Sequence, residues 1–262
     1  MIFQLFAFGV TALFFISSLI LLYCGQQLGR RHMRKEGVDS MSSLPTIEGA
    51  VFALIGLLLA FTISGALQRF DERRQLVLQE ANAISTAYDR LSLFEGQSRD
   101  LQAKLKDYTA TRIALYQTPS DLSLWQGTEL WSREQLIKIR ESKNKLWGAA
   151  VAVCPQSNYR PACALALPAL GNAFEFARLR EGGAEKHPPR IVYAMLFSFG
   201  LGGSLLAGFG MAAARSRVHM LIFASMLAIT LYVVTDTEFP RLGFIRVDSF
   251  DHFLVDVYEQ MQ

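Results

Sequence analysis

The sequence predicts an all-α membrane protein: four transmembrane helices, a helical extramembrane domain inserted between spans 2 and 3, and a second span that continues as a long helix. Three observations carry this expectation. Hydrophobic residues make up 51% of the chain and charged residues only 19%, with a mean hydropathy of +0.23, whereas soluble domains carry about 25% charged residues. All 26 Lys and Arg and all 23 Asp and Glu fall outside four windows, Met1–Gly29, Gly49–Gln68, Ile191–Ala214 and Val218–Thr235. Each window approaches the ~20 apolar residues that cross a ~30 Å hydrocarbon core. This pattern excludes a soluble globule and a disordered chain. The net charge of +3 is too small and too scattered for nucleic acid binding.

The first span, Phe3 to Cys24, reads as a retained helix rather than a signal peptide. No Lys or Arg precedes Arg30, and the apolar run exceeds a typical signal core. The second span, Gly49 to Leu67, is followed by a stretch without Gly or Pro as far as Glu95. Phe70, Val77, Ala81, Ile84, Tyr88 and Leu91 recur there at helical spacing, so one helix is expected to run roughly 40 Å past the bilayer. The third and fourth spans, Ile191–Ala213 and Val218–Val234, form a hairpin around Arg215 and Arg217; the fourth is short and must recruit residues from Thr235 or from the turn. The domain boundaries are therefore 1–67 for spans 1 and 2 with their basic loop, 68–190 for the helical domain, 191–235 for the hairpin and 236–262 for the tail.

Within the helical domain, three stripes are expected: Leu101, Leu105, Tyr108 and Leu115; Leu130, Ile137, Lys145 and Trp147 in a segment with its charges outward; and Leu170, Phe174 and Ala177, ended by Gly182 and Gly183. Thr118–Ser123 and Cys154–Cys163 read as loops, and Ala184–Arg190 as a stiff connector.

Orientation follows from the short loops. Arg30, Arg31, Arg34 and Lys35 follow span 1, and Arg215 and Arg217 sit in the hairpin turn. Short basic loops stay cytoplasmic. Both termini and the helical domain are then periplasmic, in a multi-pass protein of a bacterial inner membrane. Cys154 and Cys163 are either a disulfide or two unbonded core thiols; a disulfide would agree with an oxidising compartment.

No chemistry emerges from the motifs. His32, His187, His219 and His252 lack partners at metal-ligand spacing, and HExxH is absent. Asp251 and His252 read as a solvated pair. The glycines of Phe199–Gly210 lie in a membrane span, where Gly203, Ala207, Gly210 and Ala214 make a small-residue ridge. The spans hold no buried acid or base. Neither an enzyme, a metal nor a cofactor is expected.

Span 2 has two faces. Gly49, Ala53, Gly56, Ala60 and Ser64 form a smooth ridge suited to helix packing; roughly opposite lie Val51, Ile55, Leu58, Thr62, Arg69 and Arg73. On one reading the ridge packs helix on helix and the other face meets lipid or protein. On the other, copies of the helix surround an axis, and an apolar constriction leads to rings of Arg that attract anions. Asp71, Glu72 and Glu80 sit among these arginines and are expected to neutralise some of them.

The run Gly56–Leu91 closely resembles the bacterial bestrophin-like family of unknown function, and Val233–Asp248 resembles that family's second hallmark, an acidic residue followed by Pro-Arg, Gly and an apolar-Arg stretch. The resemblance spans most of the chain; the middle matches only in being helical. Bestrophins are pentameric anion channels whose second transmembrane helix lines an apolar neck. The resemblance thus implies a homo-pentamer in the lipid bilayer, with Gly49–Leu67 around the axis and inorganic anions such as chloride as cargo. Bestrophins keep their termini and helical domain in the cytosol, opposite to the charge reading here, and their calcium clasp is not recognisable. In the tail, Asp236 and Glu238 are expected to pair with Arg241 or Arg246 after Pro240 stops the fourth helix. Asp236, Pro240 and Arg241 then clasp the root of span 2 near Arg73 or Arg74, and a charge-gated switch is the lesser reading. The expected function is an oligomeric anion channel, with a non-conducting scaffold or envelope sensor as the alternative.

Overall fold

The computed structural model describes residues 2–37, 44–117, 131–213, 217–239 and 244–261. Eight α-helices are found among them: α1 (Ile2–Glu36), α2 (Leu44–Leu91), α3 (Ser98–Gln117), α4 (Arg133–Val153), α5 (Arg160–Glu185), α6 (Arg190–Gly210), α7 (Arg217–Glu238) and α8 (His252–Gln260). No strand occurs among the described residues. Four helices, α1, α2, α6 and α7, are long and apolar enough to cross a membrane. The second span does continue as one helix, of 48 residues. From Ala66 it holds no Gly or Pro until the turn at Gly96, whose φ of 77° suits glycine. α7 reaches Glu238, which supplies the length that its apolar window lacked.

The chain divides into two compact units, residues 1–68 with 187–245, and residues 69–186 with 246–262. In the first, α1 and α6 cross where neither has a side chain to hold them apart. A Cβ on Gly25 would overlap the Leu205 carbonyl, one on Gly208 the Leu22 carbonyl, and one on Gly29 the Phe209 carbonyl. Without a hydrophobic drive inside lipid, such close approach is what associates spans. The crossing therefore uses Gly208 rather than Ala207, and its α1 half, Gly25 and Gly29, is a small-xxx-small pair that the sequence reading passed over. Phe14 packs edge-on to Phe197 at 5.5 Å and fills the hollow over Gly200.

In the second unit, α2 to α5 and α8 enclose one core, with Ile84, Ala87, Leu91, Leu101, Leu105, Leu146, Leu170 and Leu254 fully buried. The first and third expected stripes face this core. The second does not: Ile137, Lys145 and Trp147 are exposed, and α4 buries Ser142, Leu146 and Ala150 instead. That helix opens with a full capping box between Ser132 and Gln135. α5 passes Gly182 and Gly183 and ends at Glu185. Cys154 and Cys163 are joined as a disulfide across the α4–α5 turn. Thr118–Ser123, Leu130, Ala214, Arg215, Pro240 and Arg241 lie outside the described residues.

Candidate functional site

Helix α2 supplies residues to both units, and its two faces differ in environment. Ile55, Thr62 and Arg73 are buried, and Val51, Leu58 and Arg69 are half-buried. Ile55 and Leu58 pack toward Leu196, Leu227 and Leu231 of α6 and α7. The Ile55 Cδ1 atom sits 2.8 Å from where a Cβ on Gly203 would be, and Phe52 meets Phe223 edge-on at 5.9 Å. Of the residues expected to line a pore, Ile55 and Leu58 thus pack on the chain's own helices.

The expected packing ridge points the other way. Ala53, Gly56, Ala60 and Ser64 are exposed, together with Leu54, Leu57 and Phe61, and nothing lies within 4 Å of a Cβ built on Gly49 or Gly56. Spacing distinguishes two faces of a helix but does not say which one meets its neighbours. Here Gly203 decides it, because the hollow in α6 accepts the branched Ile55 side chain. Gly210 likewise accommodates a side chain, that of Glu48 at the start of α2.

Farther along α2, Arg73 and Arg74 are committed. The buried Arg73 donates from Nε to the Gly183 carbonyl at 3.1 Å and from Nη2 to the Lys186 carbonyl at 2.6 Å. A cation there satisfies carbonyls that the end of α5 leaves open. Arg74 pairs with Asp71 at 3.2 Å and lies 4.2 Å over the Phe250 ring. Asp71 and Glu72 are the more exposed ionisable residues in this stretch, and Arg69 and Arg74 are half-buried.

The second unit also holds a buried ionic cluster that the sequence reading missed. Both Glu80 oxygens are taken: Arg112 Nε donates to Oε1 and Arg180 Nη1 to Oε2, each at 2.8 Å. Arg112 also donates to Glu181, to the Tyr116 hydroxyl and, at 3.0 Å, to the Ala177 carbonyl. Arg180 stacks 3.5 Å over the Tyr116 ring and donates to Asp251. Asp251 is therefore part of this cluster, not of a solvated pair with His252. Burial alone would raise the Glu80 carboxyl, but the two guanidiniums outweigh it and hold the group below the ordinary carboxylate value. Burial pushes the Tyr116 hydroxyl up to about 12. A signal for Glu80 did exist: it lies in register with Val77 and Ile84, one helical step apart, on the apolar stripe.

At the end of α7, the buried Asp236 accepts from the backbone amides of Phe244 and Ile245, at 2.8 to 3.0 Å, and from the Tyr232 hydroxyl. Arg246 pairs with Asp248 rather than with Asp236. The clasp at Asp236 is thus closed by peptide amides; its other expected members, Pro240 and Arg241, lie outside the described residues. In the first unit, Arg30 Nε donates to the Ala212 carbonyl at 3.1 Å, which ties the basic end of α1 to the turn that ends α6. Among the described residues no cluster of His, Cys, Asp and Glu could hold a metal.

A family model described as the Bestrophin-like domain matches residues 12–249. The chain belongs to the bestrophin-like family. Solved structures of a bacterial bestrophin homolog from Klebsiella pneumoniae share the fold of this bestrophin-like chain. One superposes with a TM-score of 0.63 at 12% identity, covering 94% of this chain and 99% of that one. A point variant of it gives 0.65 at 13%, with the same coverage. A second variant gives 0.64 at 13%, covering 93% and 98%. No curated protein matches the chain.

Proposed function

We propose that copies of this chain assemble around an axis as an ion channel, with the exposed face of α2 lining the pore. The observation that carries the proposal is the outward direction of Leu54, Leu57, Phe61 and Ser64, while the Ile55 face is occupied by the chain's own helices. Family membership and the bestrophin fold support the assembly. Leu54, Leu57 and Phe61 form the apolar constriction, of the kind that gates by dewetting. Asp71 follows in register with Leu57 and Ser64, and Glu72 with Leu54. Arg73 is turned inward, which leaves the exposed Asp71 and Glu72 set against Arg74, paired with Asp71, and the half-buried Arg69; we take the carboxylates, as the more exposed groups, to set the preference, for cations over anions. Flux through proteoliposomes under a salt gradient tests this. Cation-directed reversal potentials, shifted toward zero by Asp71→Asn with Glu72→Gln, are expected. Chloride-directed potentials, or no conductance from a verified oligomer, would contradict it.

We place the helical unit in the periplasm. The Cys154–Cys163 disulfide suits an oxidising compartment, and the sequence puts Arg30, Arg31, Arg34 and Lys35 after span 1 and Arg215 and Arg217 between spans 3 and 4, where short basic loops favour the cytoplasmic side. A membrane-impermeant thiol reagent, applied to intact cells after mild reduction, should label Cys154 and Cys163; labelling only after lysis would reverse the topology.

A further inference from the structure

A groove of about 270 Å³ runs between α2 and α5 in the second unit. Two buried alanines, Ala83 and Ala169, line it, and their small side chains leave the space between the helices unfilled. Three carboxamides, Gln79, Asn82 and Asn172, edge it, Phe176 forms an apolar wall, and Arg90 stands at its end. Among the described residues, no carboxylate lines it. Arg90 is steadied by one hydrogen bond, from Nη1 to the Leu165 carbonyl at 2.9 Å. A carbonyl positions a guanidinium without cancelling its charge. The groove therefore combines a fixed cation, several neutral amide donors and an aromatic surface.

We propose that this groove is a binding site for a small organic carboxylate with a compact apolar body. A carboxylate matches the planar fork of Arg90, and the carboxamides can donate to its oxygens. The body of the ligand lies against Phe176 and the two alanines. Ligand pockets usually measure roughly 300–1,000 Å³, so a groove of about 270 Å³ takes a small metabolite and not a nucleotide or a lipid. The ammonium end of a cation is disfavoured, because nothing in the lining offers a negative partner. Binding at Arg90 and Thr86 of α2 and at Ala169 and Asn172 of α5 would tie α5 to the helix on which the proposed pore depends. The binding argument itself rests on the groove alone and stands or falls without conduction.

The test is calorimetric titration of the purified, detergent-solubilised oligomer with three probes of one shape: benzoate, benzamide and benzylamine. Benzoate should bind saturably, benzamide on the order of tenfold more weakly, and benzylamine not at all. Arg90→Gln should reduce benzoate to the benzamide level, with Arg90→Lys retaining part of the difference. Should Arg90→Gln fail to fold, Asn172→Leu fills the groove from an exposed position on α5; it should abolish benzoate binding and leave the unliganded melting temperature unchanged. Equal binding of all three probes, no benzoate binding, or undiminished binding to Arg90→Gln or Asn172→Leu would overturn the proposal. So would an oligomer structure in which a neighbouring copy's side chains fill the groove.

Discussion

Over its first turns α2 buries Ile55, Thr62 and Ala66; farther on it buries Arg73, Glu80, Ile84 and Leu91. The two stretches belong to one uninterrupted helix, yet their inward faces obey different solvents. In the apolar stretch the one buried hydroxyl, that of Thr62, donates to the Leu58 carbonyl at 2.7 Å within its own helix. It asks nothing of a neighbour, as suits a segment surrounded by lipid. In the polar stretch the buried groups are ionic and depend entirely on other helices: Glu80 on Arg112 and Arg180, and Arg73 on carbonyls at the end of α5. The lesson is that α2 is positioned by shape where it crosses the membrane and by charge where it leaves.

The strongest way to break that contrast is to remove one charge from the cluster. Glu80→Ala leaves two buried guanidiniums without their shared carboxylate, and the expected loss is roughly 3–5 kcal/mol, read as a lowered melting temperature of the purified protein. Shape should matter less but still measurably in the apolar stretch. Gly203→Leu displaces Ile55 from its hollow in α6 and should cost about 1–3 kcal/mol by overpacking. Gly56→Ala, on the open face, meets no neighbour and should raise the melting temperature of the unassembled chain slightly, by a helix preference of about 0.5–1 kcal/mol.

Acid sharpens the contrast further. The Glu80 carboxyl lies below its ordinary value when folded, so its contribution is fully present above the unfolded value of about 4.3 and disappears as pH falls through the depressed one. Melting temperature measured against pH should therefore be flat near neutrality and fall below about pH 4, with a shallower acid limb in Glu80→Gln. The smallest expected effect is at Thr62. Thr62→Val removes a hydrogen bond made only within its own helix, a kind that adds little to helix stability, so its melting curve should nearly overlay that of the parent.

Much of this architecture is legible in the sequence, because bilayer thickness leaves a plain trace in the distribution of charge. The four spans, the continuous α2 and the Leu101–Leu115 stripe follow from period and composition alone. What spacing does not carry is the identity of a face's neighbour. Ile55 and Arg73 were expected at an axis on grounds that apply equally to a packed interior, and only the hollow at Gly203 and the open carbonyls of Gly183 and Lys186 separate the two. Asp251 was misread for a related reason: its partner Arg180 is 71 residues away, beyond the reach of any local pattern. The Gly25–Gly29 pair was legible and overlooked. Glu80 carried half a signal, since an acid in the middle of an apolar stripe announces a buried partner without naming it.

The direction of α2 is the central claim, and single cysteines test it most directly. In a Cys24→Ser background reconstituted in liposomes, a membrane-impermeant thiol reagent that enters the aqueous pore should block ion flux through Leu57→Cys, Phe61→Cys and Ser64→Cys and spare Ile55→Cys and Thr62→Cys. Block at Ile55 and Thr62 with Leu57 and Phe61 spared would show that α2 presents its other face to the axis, and would contradict the account.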